Sequence, residues 1–264
     1  MDSEGSLGKT IRDSILILLF EFLGTLMTCL LYNNVSQTVT ESLSGKPGSP
    51  PDYAGLLLGI FVLLIFGAKI SGSHYNPAVT LGFMLRRDVG RFSRILGIAY
   101  ILFQLGGAFC GALAALMVNG KGGQLAVHDG HSIEAMGAEV LGSFFIVFMF
   151  LTQTEDKTKL AKDPAITTLI IASSQVTALI MTSTPYRSLS CLNPAIGVST
   201  VFIMLFKGDT AGIADIWILA IFPFIGAILA VIFHEFVYKK VQEEVEEQED
   251  DNEGILDNNK VTIA

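Results

Sequence analysis

The sequence predicts an all-α membrane protein of six transmembrane helices plus two re-entrant half-helices, arranged as an inverted 3+3 repeat. Three observations lead there. Of the 264 residues, 51 % are hydrophobic and 16 % charged, with a mean hydropathy of +0.55; a soluble domain is about a quarter charged. Six stretches are apolar enough to cross a bilayer, which takes about 20 residues. Asn-Pro-Ala also occurs twice, at 76–78 and 193–195, at matching places in two halves of the chain. The composition argues against a nucleic-acid binder or a disordered scaffold.

The expected spans are 14–32, 53–68, 95–119, 135–152, 164–184 and 216–238. The first carries Glu21 and the fourth Glu139. The second reaches full length only if it runs through Lys69, whose stem can snorkel to the surface. No clear small-residue cleavage site follows the first span, so it reads as a retained helix and not a signal peptide. With six spans both termini share one side. That side holds thirteen Lys and Arg, among them Lys69, Arg86, Arg87, Lys157, Lys159, Lys162 and Lys239, and the other holds four, Lys46, Lys121, Arg187 and Lys207. Basic loops stay in the cytoplasm, so both termini are expected there.

The net charge of −8 belongs to one end. Residues 241–264 hold nine acids and one base, which leaves sixteen of each sign in residues 1–240. This tail, after Lys239 and Lys240, is expected to be cytoplasmic, solvated and disordered. Cys29, Cys110 and Cys191 lie in apolar stretches without metal-ligand or paired spacing, as small buried hydrophobes do. No metal site is expected.

Two apolar stretches, 70–85 and 188–206, hold an Asn-Pro each and fall between spans. Short, proline-interrupted segments in matching halves are the mark of discontinuous helices meeting at a midplane site. The halves match in three further ways. Asn76 and Asn193 are 117 residues apart, Glu21 and Glu139 118, and Gly107-Ala108 and Gly226-Ala227 119. Each half has an odd number of spans, so the second is inverted and its half-helix meets the first end to end.

Asn-Pro-Ala has a physical meaning at such a place. Proline suits the first turn of a helix, and asparagine before it caps the turn through its side-chain oxygen. Its NH₂ is then a free donor at the positive end of the helix dipole. Two inverted copies put the donors Asn76 and Asn193 at the membrane centre, with Pro77, Ala78, Pro194 and Ala195 forming the half-helix caps. A water bound there offers its oxygen and points its hydrogens away, which repels cations and interrupts a proton-conducting chain.

The stretch Ser71-Gly72-Ser73-His74-Tyr75-Asn76-Pro77-Ala78-Val79-Thr80 resembles the first pore loop of the aquaporin and aquaglyceroporin channels. Glu21-Phe22-Leu23-Gly24-Thr25, Gln104 with Gly107-Ala108, Trp217, and Pro223 with Gly226-Ala227 fit the same pattern, over roughly residues 11–240. The resemblance implies a pore in each protomer and a homotetramer in a lipid bilayer. It implies pore carbonyls on Gly72, Ser73, His74, Leu189, Ser190 and Cys191, with Glu21 and Glu139 as buried acids bracing the pore loops. Its organisation would be an N-terminus 1–12, a channel domain 13–240 with halves of about 13–120 and 134–240, and the tail 241–264.

The outer filter departs from the family. Where an arginine is usual three residues after the second asparagine, the chain has Ile196. The filter positions otherwise read Leu56, Met181 (or Ile180) and Ser190, with no fixed charge and one hydroxyl. Arg187, six residues before Asn193, reads first as a solvated loop arginine, with the alternative that it swings over the mouth in place of the missing charge. The expectation is a passive channel for water, open to small neutral solutes such as glycerol, urea or ammonia. It is not an enzyme and needs no cofactor. A non-conducting or junctional protein of the same fold, or a coupled secondary transporter, are the alternatives. Neither the plasma membrane nor an internal vacuolar membrane is indicated.

Overall fold

The computed structural model describes residues 3–43, 53–87, 92–245 and 247–248, and among them every regular element is helical. The first half contains α1 (Ser3–Leu43), α2 (Tyr53–Gly67), α3 (Pro77–Leu85) and α4 (Arg94–Asn119). The second repeats it with α5 (Ser132–Thr154), α6 (Pro164–Thr182), α7 (Pro194–Phe206) and α8 (Ile216–Phe233). Five helices are long and apolar enough to cross a membrane, and α2, at 15 residues, is the short sixth foreseen above. Helices α3 and α7 are too short to cross, and they are the two half-helices.

Glycines let the long helices cross closely in pairs. A Cβ on Gly107 of α4 would lie 2.2 Å from the Phe22 carbonyl oxygen of α1. A Cβ on Gly226 of α8 would lie 2.4 Å from the Val140 carbonyl oxygen of α5. Phe22 and Val140 are 118 residues apart, so the two crossings are one contact built twice.

The helix of α8 does not stop at the predicted end of its span. It passes through a π-helical stretch, His234–Tyr238, and continues as α-helix to residue 245. Gln242 Nε2 donates to the Lys157 carbonyl at 2.7 Å. The start of the expected disordered tail is therefore ordered helix; residues 249–264 lie outside the described residues, as do Lys46 and Arg91.

The π-helical stretch joins an ion-pair cluster. Glu155, at the end of α5, accepts from Arg86 at 2.9 Å and from Lys239 at 2.9 Å, while Lys239 also reaches Glu235 at 3.1 Å. His234, Glu155 and Glu235 lie close enough together to hold a metal ion in principle. Both carboxylates already carry a protein cation, however, and a divalent ion would have to displace it. The cluster instead fastens the end of α3, through Arg86, to α5 and to the last helix.

Two surface side chains meet definite partners. Asn34 sits within α1, and its Oδ1 accepts from Asn119 Nδ2 at 2.9 Å. Arg187 pairs with Asp129 at 3.0 Å, in the loop before α5, and does not line the cavity that holds Ile196.

Candidate functional site

The tips of α3 and α7 meet in the middle of the fold. Asn76 caps α3 with its Oδ1 on Ala78 N at 2.8 Å, and Asn193 caps α7 with its Oδ1 on Ala195 N at 3.1 Å. The NH₂ groups are not both wholly free, as the sequence suggested. Asn76 Nδ2 donates to the Leu192 carbonyl at 2.9 Å, and Asn193 Nδ2 donates to the Tyr75 carbonyl at 2.9 Å. Each asparagine thus ties its own half-helix to the loop of the other half. An NH₂ has two protons, so one remains on each for another acceptor.

Those loop carbonyls are available because the preceding residues are left-handed. Tyr75 has φ 47° and Leu192 φ 57°, a conformation that costs a non-glycine residue energy and needs outside support. The support is a carboxylate on each side. Glu21 accepts from His74 N at 3.1 Å, Tyr75 N at 2.9 Å and Gln104 Nε2 at 2.7 Å. Glu139 accepts from Cys191 N at 3.0 Å, Leu192 N at 2.9 Å and the Tyr186 hydroxyl at 2.7 Å. At least three donors converge on each carboxyl, and its two oxygens have lone pairs enough to accept them all. The third donor differs between the halves because Pro223 occupies in α8 the place of Gln104 in α4, and Tyr186 fills the gap.

Small residues complete the frame. A Cβ on Gly24 would lie 2.0 Å from the Tyr75 ring, and one on Gly142 would lie 2.5 Å from Leu192 Cδ2. Gly24 and Gly142 again stand 118 apart, three residues after each brace. The motif is therefore Glu-x-x-Gly, an acid for the loop backbone and a gap for the loop side chain. The same offset that pairs the acids would have exposed it in the sequence.

A cavity of about 50 Å³ opens on both tips. Its wall includes Asn76, Asn193, Leu56, Ile60, Leu179 and Ile196, and holds no Asp, Glu, Lys or Arg. A second cavity of about 290 Å³ lies between Lys69, Lys159, Lys162 and the first pore loop, including Gly72 and Ser73. Both cavities touch Leu64, so a route through the two would pass that residue. On α6 a single stripe lines it, Thr168 and Ile171 in the wider chamber and Gln175 and Leu179 in the narrower.

That stripe corrects one filter position. Met181 is 67 % exposed and Ile180 51 %, and neither lines the cavity. A helix turns by 3.6 residues, so the face of Gln175 and Leu179 continues at Thr182 and leaves Met181 well off it. Thr182 is in turn hydrogen-bonded to the Ser190 hydroxyl at 2.7 Å, and Ser190 N donates to Ser183 Oγ at 3.0 Å. Ser190 is fully buried in this network, so the cavity wall at that level is Cys191.

Two of the expected pore carbonyls are also engaged. The Tyr32 hydroxyl bridges the Leu189 oxygen at 3.0 Å and the Ser190 oxygen at 2.8 Å. In the first half the His74 ring is buried against Phe83, with ring centres 4.3 Å apart, and its Nδ1 lies 3.2 Å from Thr80 Oγ1. The sequence reading missed Tyr32 and Gln175. An amide in a span without any Asp, Glu, Lys or Arg was the available signal for Gln175.

Two matching halves, each contributing a short half-helix whose tip meets the other at a chamber without a charged side chain, are the architecture of a multi-pass membrane channel. The chain belongs to the major intrinsic protein family, whose family model matches residues 11–234. It is 33 % identical over 239 residues to Aquaporin PIP2-7 of Arabidopsis thaliana, covering 84 % of this chain and 80 % of that protein. To Aquaporin PIP1-3/PIP1-4 of Zea mays it is 31 % identical over 229 residues, covering 83 % and 75 %. Its fold is like that in the X-ray structure of the aquaglyceroporin from Plasmodium falciparum, with a TM-score of 0.70 at 19 % identity over 87 % of this chain and 99 % of that one.

Proposed function

We propose that this chain conducts water passively through the chambers on either side of Leu64, with the asparagine pair as the point that excludes ions and protons. The observation that carries the reading is the meeting of the two tips in a chamber without a charged side chain. Each asparagine oxygen is used as a cap, so what the pair presents to the route is N–H. Two helix N-termini add positive potential. A cation there meets repulsion and no ligand, whereas a water offers its oxygen to both amides and turns its hydrogens outward. A proton-conducting chain of waters is broken at that point.

Purified protein in vesicles tests this directly. Under an osmotic step the vesicles are expected to shrink faster than protein-free ones, with no rise in proton leak. Equal shrinkage rates would overturn the channel reading.

Ile196 and Leu56 are proposed as the selectivity positions, joined by Cys191 in place of Ser190 and by Leu179 in place of Met181. Leu56 and Ile196 line the same chamber as the asparagines. An uncharged neck admits small neutral solutes as well as water, and its shape sets the limit. Ile196→Arg adds a cation and fills volume there. Glycerol or urea uptake is expected to fall by a larger factor than water flux, measured on the same vesicles. Equal losses would remove Ile196 from the filter.

The cytoplasmic placement of both termini rests on the thirteen-to-four distribution of Lys and Arg. Homotetramer formation rests on family membership, and cross-linking in detergent is expected to give a ladder ending at four copies. The domain limits proposed above remain in use, with the ordered helix at 241–245 assigned to the channel body.

A further inference from the structure

The polar side chains of the narrow chamber can be sorted by what already holds them. The Thr28 hydroxyl donates to the Gly24 carbonyl at 2.8 Å, and the Tyr32 hydroxyl to the two loop carbonyls already described. Cys191 Sγ lies 3.2 Å from the Asn193 carbonyl, and Tyr75 Oη 3.3 Å from Ser73 Oγ. The two asparagines keep one proton each. Gln175 differs from all of these. Its amide lines the same chamber, and it makes no hydrogen bond to any of the described residues.

Its position makes that notable. Gln175 sits between Ile171 and Leu179 on the inward stripe of α6, and both neighbours are buried and apolar. Gln175 itself is half-buried, so its amide stays open to the chamber, and with no partner among the described residues it is served by whatever occupies that chamber. The rest of the wall around it, Leu56, Ile60, Leu63 and Ile196, offers no hydrogen bond at all. Narrow necks of that kind empty of water and close by dewetting.

We propose that Gln175 is a specificity-determining residue of the channel, the acceptor that keeps the apolar chamber wet and completes a binding place for the permeating molecule. The asparagine pair supplies only donors, and Gln175 Oε1 supplies the complementary acceptor on another wall of the chamber. The place therefore suits a small neutral molecule that accepts and donates at once. Water is the first of that class, and small amides and polyols follow where size allows. Because the acceptor is neutral, it binds a permeating hydrogen without creating a cation site.

This inference rests on the channel reading, and one experiment separates the two. Wild type, Gln175→Met, Gln175→Leu and Gln175→Asn are placed in vesicles, and water flux per protein is measured over a series of temperatures at which the bilayer stays fluid. Methionine matches glutamine in length without a hydrogen-bonding amide; asparagine keeps the amide. The Met and Leu variants are expected to lose at least about fivefold in flux with a steeper temperature dependence, and Asn to stay within about twofold of wild type. A merely structural role would lower the folded fraction without steepening the temperature dependence of what remains. Wild type no faster than empty vesicles would overturn the channel reading and this inference with it. Fast wild type with either folded apolar variant equally fast, or with Asn as slow as Met, would overturn the role of Gln175 alone.

Discussion

Glu139→Gln is expected to abolish water flux and to destabilise the folded protein by about 3–5 kcal/mol, since hydrogen bonds to a buried charge are worth about 1.5–3 kcal/mol each. The carboxylate holds Cys191 N and Leu192 N on separate oxygens, and the Tyr186 hydroxyl as well. An amide has a single oxygen, so its NH₂ would face a backbone N–H, donor against donor. Leu192 would then lose what keeps it left-handed, and with it the carbonyl that receives Asn76. Glu139→Asp retains the charge but is one carbon too short to span both N–H groups, and it should fall between. Thermal midpoints in detergent and vesicle shrinkage check the result; a glutamine variant equal to wild type in both would remove Glu139 as a brace.

Gly107→Ala is the second change with a large expected effect. Its methyl would meet the Phe22 carbonyl oxygen at 2.2 Å and Leu26 N at 3.2 Å, and these are backbone atoms that no rotamer change can move. The whole of α4 must back away from α1, at a cost of about 1–3 kcal/mol or more. Gly226→Ala should behave alike, meeting the Val140 oxygen at 2.4 Å. Gly137 supplies the contrast, because a Cβ there meets nothing within 4 Å. Gly137→Ala should shift stability by no more than about 0.5 kcal/mol. Thermal unfolding of the three variants side by side checks this, and a Gly107 variant as stable as the Gly137 one would show that the crossing is looser than its geometry.

Paired residues of unmistakable type were readable in the sequence. The resemblance makes Glu21 and Glu139 loop braces, and both carboxyls do hold the loop backbones. An asparagine before proline must cap, and both copies do. What could not be read was rotation and competition. The family spacing points to Met181 on α6, and the apolar residues there do not announce that the inward face carries Gln175 and Leu179 instead. The loop before Asn193 is rich in hydroxyls whose partners depend on tertiary approach. Ser190 turned to Thr182, and Tyr32 came from a helix 157 residues away to bind the Leu189 carbonyl.

The exchange of hydrogen bonds between the two tips also bears on synthesis. The carbonyl that satisfies Asn76 lies 116 residues later in the chain, and the amide that satisfies the Tyr75 carbonyl 118 residues later. A ribosome adds about 5–20 residues per second, so the first half waits on the order of 6–24 s with its central groups unpaired. During that interval water, lipid headgroups or an insertion chaperone must serve them. Slower translation through the second half lengthens the time for which those groups go without their final partners.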